Sequence, residues 1–275
     1  MGGQSRTNMQ SVNAKSLLNR FAANKPRIIF FHIPKTGGSS VAAGFRRSYR
    51  FSHFHIRSEP SSKATEKLYN VTPGSPNYLY YRQQLRQSLV FYTAMQDVRF
   101  ITGHFCYEPQ FSQLREKGFH LITFVRNPVD RFISSYFYRR YKKREYSKIY
   151  EDFEEYINSS DALDDGCTYI RFIGGMLLDE DPRSQKAIDR AKENVKRFDE
   201  IGLLEDMESF RRSVHENIGV RIGIPHKRDN PAKQRNDVLN AYKEAKNSQR
   251  MRNRIADICQ PDLELFNFIQ NKNHL

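Results

Sequence analysis

The 275-residue chain contains no tryptophan and only three cysteines, Cys106, Cys167 and Cys259. The cysteines are far apart, odd in number and without a CxxC spacing, so the sequence predicts neither a disulfide framework nor a cysteine-based zinc site. No run of about 18 apolar residues occurs, which argues against a transmembrane helix. The amino terminus has no apolar signal-peptide core, and we therefore expect a cytoplasmic protein with reduced thiols.

Acidic residues are in short supply. The chain has 31 Asp and Glu against 45 Lys and Arg, for a net charge of +14. Such an excess predicts attraction to anions. Nucleic acid, an anionic membrane surface, an acidic polysaccharide and a phosphorylated cofactor all fit, as does a merely basic soluble surface. Charge alone does not choose between them.

The hydrophobic pattern predicts an α/β fold. Hydrophobic residues make up 38% of the chain, enough for one sizeable core. Residues 27–33 and 121–125 are near-continuous apolar runs that are typical of buried parallel strands. Strands that alternate with helices predict a single domain with a mostly parallel sheet and helices on both faces. We assign residues 1–26 to a flexible arm and 27–275 to the domain.

Further elements follow from periodicity and capping signals. Asn127 is predicted to cap a helix whose first residue is Pro128. The apolar stripe of that helix faces the core and leaves Arg131, Ser134 and Ser135 largely off it. Residues 51–80 are predicted to be an irregular insertion. The other predicted helices are 39–49, 81–95, 151–157, 186–198, 237–259 and 262–269, and the other strands are 98–102 and 200–204.

The segment after the first strand has the chemistry of a phosphate cradle. Two glycines let the backbone approach a ligand, the following helix presents free N–H groups, and a lysine adds a full positive charge. It is not a Walker A loop, because the lysine precedes both glycines. A tight turn with an exposed lysine is the structural alternative. The candidate residues are Pro34, Lys35, Thr36, Gly37, Gly38, Ser39 and Ser40.

A second anion site is predicted after the strand at 121–125. Arg126 lies at the carboxyl end of that strand, where ligands bind in open α/β sheets. Its planar guanidinium suits phosphate oxygens, and Ser134 on the following helix can add a hydroxyl. The alternative is a capped amphipathic helix preceded by a surface arginine. Together with the first loop, this site favours a nucleotide phosphorylated at two positions.

The two segments PKTGGSS and RNPVDRFIS resemble the 5'-phosphosulfate loop and the 3'-phosphate motif of sulfotransferases that use 3'-phosphoadenosine-5'-phosphosulfate (PAPS). They are most similar to the group of heparan sulfate 2-O- and 6-O-sulfotransferases and their bacterial relatives. The segments ITGHF and FDEIGLLEDM also resemble that group, and the similarity covers residues 27–260 in ordered pieces. The resemblance implies a P-loop-like nucleotide-binding fold and transfer to an acceptor hydroxyl, with release of 3',5'-ADP.

The resemblance also implies residue roles. Lys35 would stabilise the departing 3',5'-ADP, and the rest of its loop would hold the 5'-phosphate. Arg126 and Ser134 would bind the 3'-phosphate. A late basic loop with Lys227 and Arg228 would close over the nucleotide. No metal is expected.

The resemblance of ITGHF to the segment that carries the catalytic histidine of the 2-O-sulfotransferases implies that His104 is the general base, and a histidine can take the proton of an acceptor hydroxyl. Its position alone favours instead a hydrogen-bonded histidine at a strand end. His53 and His55 are the fallback bases, while His32 is a poorer base and is predicted to be a core or supporting residue.

The sequence leaves alternatives open for the acceptor and for the class of function. An anionic or hydroxylated acceptor is expected, with a glycan favoured over a protein tyrosine or a small metabolite, and nucleic acid is not expected. The basic segment 139–148 is either a solvated face or a contact for an anionic polysaccharide. The alternative outside the enzymes is a basic nucleotide- or nucleic-acid-binding protein without transfer activity. The sequence predicts no oligomeric state.

Overall fold

The computed structural model describes residues 25–143, 145–224 and 235–273. Within them, a central sheet is formed by five strands, β1 (Arg27–Phe31), β2 (His53–Ile56), β3 (Phe100–Gly103), β4 (Phe119–Val125) and β5 (Glu200–Leu203). The strands are ordered β2-β3-β1-β4-β5, and all four pairings are parallel. The predicted α/β fold with a parallel sheet is confirmed.

Helices connect and cover the strands. In the described residues they are α1 (Gly38–Ser48), α2 (Ser58–Tyr69), α3 (Tyr78–Ala94), α4 (Ser112–Glu116), α5 (Pro128–Tyr141), α6 (Phe153–Ile157), α7 (Ser160–Asp165), α8 (Thr168–Gly174), α9 (Gln185–Val195), α10 (Met207–Ile218), α11 (Asn236–Asn247), α12 (Gln249–Ile258) and α13 (Gln260–Asn273). Short 3₁₀ turns lie at Pro109–Phe111 and Leu204–Asp206. No described helix has both the length and the apolar character needed to cross a bilayer.

The sheet separates two hydrophobic cores, because successive strand residues point to opposite faces. In β1, Ile29 and Phe31 pack into the core covered by α3, α8, α9 and α13. Ile28 and Phe30 pack into the core covered by α1 and α10. All four side chains are buried. Burial of each contributes about 1.5–3 kcal/mol, which explains why the continuous apolar run forms the central strand.

Helix α5 begins at the predicted cap, but more of its surface is buried than predicted. Asn127 caps it by accepting a hydrogen bond from the Asp130 backbone N–H at 3.2 Å. The prediction that Arg131, Ser134 and Ser135 lie largely off the core was wrong, because all three are buried. The reason is that α11, α12 and α13 pack against α5, so that it is enclosed beyond its apolar stripe.

The predicted irregular insertion at 51–80 was also wrong in large part. It contains the strand β2 and the helix α2. β2 is an edge strand with three exposed residues, so it has no alternation of apolar and polar residues. The buried side of α2 is formed by Ser61, Ser62 and Thr65, so a hydrophobic periodicity is absent there too.

The predicted helix over 237–259 is two helices. α11 ends at Asn247, and α12 begins after Ser248, whose hydroxyl accepts a hydrogen bond from the Met251 backbone N–H at 3.3 Å. Serine favours this N-cap position over a helix interior, which is why the helix is interrupted there.

Candidate active site

The loop between β1 and α1 lies at the carboxyl edge of the sheet. Lys35 and Gly37 both have left-handed backbone conformations, with φ of 67° and 90°. The buried Thr36 hydroxyl donates a hydrogen bond to the Ile33 carbonyl at 3.0 Å. The loop is therefore a tight turn, and the hydroxyl proton of Thr36 forms a hydrogen bond within that turn. The remaining predicted residues border the same turn: Pro34, Gly38, Ser39 and Ser40.

Both glycines of the loop are required by their surroundings. A β-carbon on Gly38 would lie 2.5 Å from Cδ2 of His32, and one on Gly37 would lie 2.8 Å from Cδ1 of Leu204. The first turn of α1 has no capping side chain and no acidic residue. Its backbone N–H groups and its dipole therefore favour an anion, as the sequence predicts for this loop.

Lys35 lies beside an aromatic ring. Its Nζ atom is 4.1 Å from the centre of the Tyr138 ring on α5, and no described carboxylate forms an ion pair with it. Burial lowers the pKa of Lys35 to about 8, and the nearby charge of Arg126 lowers it as well. The side chain is still cationic at neutral pH, but its proton is more acidic than that of an exposed lysine.

Arg126 follows β4 directly, and Ser134 lies on α5. The Arg126 side chain is 15% exposed, and its Nη2 is 3.8 Å from Oδ2 of Asp130. Ser134 is 8% exposed, so only a small part of it faces solvent. Because β1 and β4 are paired in parallel, the loop after β1 and Arg126 after β4 lie at the same edge of the sheet.

His104 follows β3 and contacts the end of β1. Its Nδ1 is 2.5 Å from the His32 carbonyl oxygen, and the two imidazole rings are 4.4 Å apart. A carbonyl can only accept, so Nδ1 carries the proton and Nε2 is the free basic nitrogen. Burial lowers the pKa of His104 to about 4, although the bond to His32 opposes this shift. The charge of Arg86 lowers it further. His104 is therefore neutral at pH 7.

The topology explains why these groups meet. β1 lies between β3 and β4, and all three strands run in the same direction. Their carboxyl ends therefore carry Lys35, His104 and Arg126 to one edge of the sheet. The strand order also changes direction beside β1, which is where open α/β sheets bind ligands.

Some predicted features lie elsewhere. Lys227 and Arg228 are outside the described residues. His55 is on the edge strand β2, and its positive charge would lower the pKa of both His32 and His104. Within the described ranges, no group of three or more His, Cys, Asp or Glu side chains has the arrangement of a metal site.

The basic segment 139–148 makes internal contacts where it is described. Arg139 lies 3.8 Å from the Asp165 carboxylate, and Arg140 donates to the Ile149 carbonyl at 3.4 Å. Lys142 hydrogen-bonds the Tyr146 carbonyl. These cations therefore stabilise the end of α5 and the turn after it.

Residues 19–269 match the sequence profile of the sulfotransferase family. The chain belongs to the sulfotransferase family. The match covers most of the chain and includes the β1 loop, His104 and Arg126. It supports sulfuryl transfer as the general reaction of this enzyme. No curated protein matches the sequence.

Two solved structures are similar to this chain, both with low TM-scores. Mouse sulfotransferase SULT7A1, solved in complex with PAP, is 16% identical, with 84% of this chain and 72% of the mouse chain covered and a TM-score of 0.35. A structure of the PezAT chromosomal toxin-antitoxin system of Streptococcus pneumoniae is 13% identical, with 92% and 97% covered and a TM-score of 0.35. Neither similarity is strong enough to assign a ligand.

A cationic pair beside His104, the half-buried Arg82 and the buried Arg86, was not predicted from the sequence. Arg86 on α3 is 3% exposed and donates to the His104 carbonyl at 2.7 Å and to the Ser61 hydroxyl at 2.9 Å. Arg82, one turn earlier, donates to the Tyr146 hydroxyl at 2.6 Å, and its Nε is buried without a partner. No described carboxylate forms an ion pair with either arginine. Their spacing of four residues was the available signal, since it puts both on one side of a helix.

Proposed function

We propose that this sulfotransferase moves the sulfuryl group of PAPS to an acceptor hydroxyl and releases 3',5'-ADP. The observation that carries the proposal is the meeting of two cationic, anion-favouring features, the Lys35 loop and Arg126, at one edge of the sheet. PAPS has phosphate groups at two separate positions, which matches two separate sites. The residues fit it further through the uncapped start of α1.

The proposed binding roles follow the sequence motifs. Lys35 and the loop residues Pro34, Thr36, Gly37, Gly38, Ser39 and Ser40 would hold the 5'-phosphosulfate end. Arg126 and Ser134 would hold the 3'-phosphate. Lys227 and Arg228 are proposed to close over the nucleotide, and this role rests on the resemblance alone. Domain boundaries of 1–26 for an arm and 27–275 for the catalytic domain are proposed as well.

Lys35 is proposed to stabilise the leaving group. When bound, PAPS supplies a sulfuryl group that is transferred as its bond to the nucleotide oxygen breaks. A cation beside that oxygen stabilises the charge that develops on it, and such preorganised stabilisation is commonly the largest catalytic contribution. The pKa of about 8 also allows Lys35 to donate a proton more readily than an exposed lysine would.

His104 is proposed to be the general base. Its Nε2 is free of the proton because Nδ1 donates to the His32 carbonyl. Burial keeps the ring neutral, so Nε2 is ready to take the proton of the acceptor hydroxyl as the oxygen attacks sulfur. His32 supports this role through its carbonyl, as the prediction of a supporting residue requires.

An anionic glycan is the proposed acceptor class, as for the heparan sulfate 2-O- and 6-O-sulfotransferases. The half-buried Arg82 supports it, since it lies one turn from Arg86, which contacts the His104 carbonyl, and forms no ion pair with a carboxylate of the described chain. A protein tyrosine or a small metabolite remains the alternative acceptor. No metal is proposed to take part.

Nucleotide binding tests the proposal. We expect 3',5'-ADP at about 100 times its Kd to raise the unfolding free energy by about 2.7 kcal/mol, because it binds only the folded state. ATP at the same concentration should stabilise far less. Transfer of labelled sulfate from PAPS to a heparin-derived glycan should follow. Stabilisation by DNA or RNA but by neither nucleotide would instead support the nucleic-acid-binding alternative.

A further inference from the structure

One hydroxyl group holds both backbone polar groups of Arg126. The Tyr169 hydroxyl on α8 accepts a hydrogen bond from the Arg126 N–H at 3.0 Å and donates one to the Arg126 carbonyl at 2.5 Å. A hydroxyl has one proton to donate and lone pairs to accept with, so the two bonds are compatible. Tyr169 is completely buried. No water therefore competes for these bonds.

The position of Arg126 explains why it needs such a partner. The pairing of β4 with β5 ends at Val125 and Leu203, so Arg126 is the first residue beyond the ladder. Its N–H and carbonyl would otherwise be left without strand partners in a partly buried site. The next peptide is held in a similar way, because the Asn127 N–H donates to the Glu205 carboxylate at 2.9 Å.

Tyr169 is itself fixed by the last helix. Asp262 on α13 accepts hydrogen bonds from the Tyr169 N–H at 2.8 Å and from the Ile170 N–H at 3.0 Å. The Arg131 guanidinium lies 5.9 Å from the Tyr169 ring. A buried carboxylate and a buried arginine thus surround the tyrosine that holds Arg126.

The Arg126 side chain has little else to set its direction. Among the described residues, its contact with a charged group is the 3.8 Å approach of Nη2 to Asp130, which is longer than a hydrogen bond. The backbone at Arg126 therefore sets the position from which its side chain reaches a ligand. We propose that Tyr169 is a positioning residue that sets recognition of the 3'-phosphate by fixing the Arg126 backbone. This inference rests on the proposed function, in which Arg126 binds that phosphate.

The test compares 3',5'-ADP with 5'-AMP, which lacks the 3'-phosphate. Calorimetry would give the Kd of each for the wild type, Tyr169→Phe and Arg126→Gln. We expect Tyr169→Phe to weaken 3',5'-ADP binding by roughly tenfold and to leave 5'-AMP binding within about twofold, as for loss of a charge-assisted contact. In the Arg126→Gln background, Tyr169→Phe should have no further effect on the preference, because it acts through Arg126.

Tyr156→Phe is the matched control. Tyr156 is also a buried tyrosine whose hydroxyl is hydrogen-bonded, here to the Asp165 carboxylate at 3.2 Å, and it has no contact with Arg126 among the described bonds. It should keep the wild-type preference. Equal weakening of both nucleotides in Tyr169→Phe would show a merely structural role and overturn the inference, as would an unchanged preference.

Two further results keep the outcomes distinct. A wild-type protein that binds 3',5'-ADP no better than 5'-AMP would overturn the proposed function rather than the role of Tyr169. If Tyr169→Phe does not fold, Asp262→Asn replaces it, because it weakens the support of the Tyr169 N–H. We expect Asp262→Asn to lower the preference for 3',5'-ADP at least twofold, and an unchanged preference would overturn the inference.

Discussion

Acid should destabilise this protein through His104, by an amount that the structure predicts. The folded pKa of about 4 lies below the ordinary value of 6.5, so the unfolded chain binds more protons between these values. Stability therefore rises with pH in this range and is lost as pH falls from 6.5 towards 4. Between pH 7 and pH 5, these two pKa values give a loss of about 2 kcal/mol from His104.

His104→Gln isolates this contribution, because glutamine does not titrate. Urea unfolding of both proteins at pH 7 and pH 5 gives four free energies of unfolding. The wild type should lose about 2 kcal/mol more than the variant on acidification. For a chain of this size, that corresponds to roughly 3–4 °C in the acid-induced fall of Tm. His32 is present in both proteins, so its own titration largely cancels.

The same variant should lose activity. If His104 is the general base as proposed, His104→Gln should lower turnover by roughly 10²–10⁴-fold, while 3',5'-ADP affinity should be unchanged. In the wild type, kcat/KM should hold down to about pH 5, because His104 stays neutral there. An equal acid-induced loss of stability in both proteins, or an acid limb of kcat/KM near pH 6.5, would refute the reasoning from burial.

Three other substitutions test the site and the fold. Lys35→Ala should lower kcat by at least roughly 10²-fold with little loss of folding stability, measured by transfer from labelled PAPS and by urea unfolding. Arg82→Met should raise KM for a heparin-derived glycan by roughly tenfold without changing the Kd of 3',5'-ADP, and a changed Kd would argue against an acceptor role. Gly202→Ala should cost about 1–3 kcal/mol in urea unfolding, because its β-carbon would lie 2.4 Å from the rings of Phe124 and Phe210. A neutral effect of Gly202→Ala would contradict the tight packing around β5.

The central strands and their edge could be predicted from sequence because their signals are local. β1 and β4 are runs of apolar residues, and each is followed by a recognisable loop or cap. Parallel strands put their carboxyl ends at one edge, so the meeting of Lys35 and Arg126 follows from the fold class. What the sequence could not supply was the set of partners that hold these residues.

The missed elements show the physical reason. The edge strand β2 exposes three of its four residues, and α2 buries hydroxyls, so hydrophobic periodicity identifies neither. Tyr169 is 43 positions from Arg126 and reaches it only through the packing of α8. Arg86 shows the same limit, since its contact with the His104 carbonyl depends on how α3 lies against the sheet.

The support of Tyr169 by Asp262 has a consequence for the order of synthesis. Lys35 precedes α13, the helix that carries Asp262, by most of the described chain. The chain emerging from the ribosome therefore holds the Lys35 loop long before it can brace Arg126. If Tyr169 positions Arg126 as proposed, nascent chains that end before α13 lack a complete nucleotide site, and the enzyme acquires it only as α13 docks.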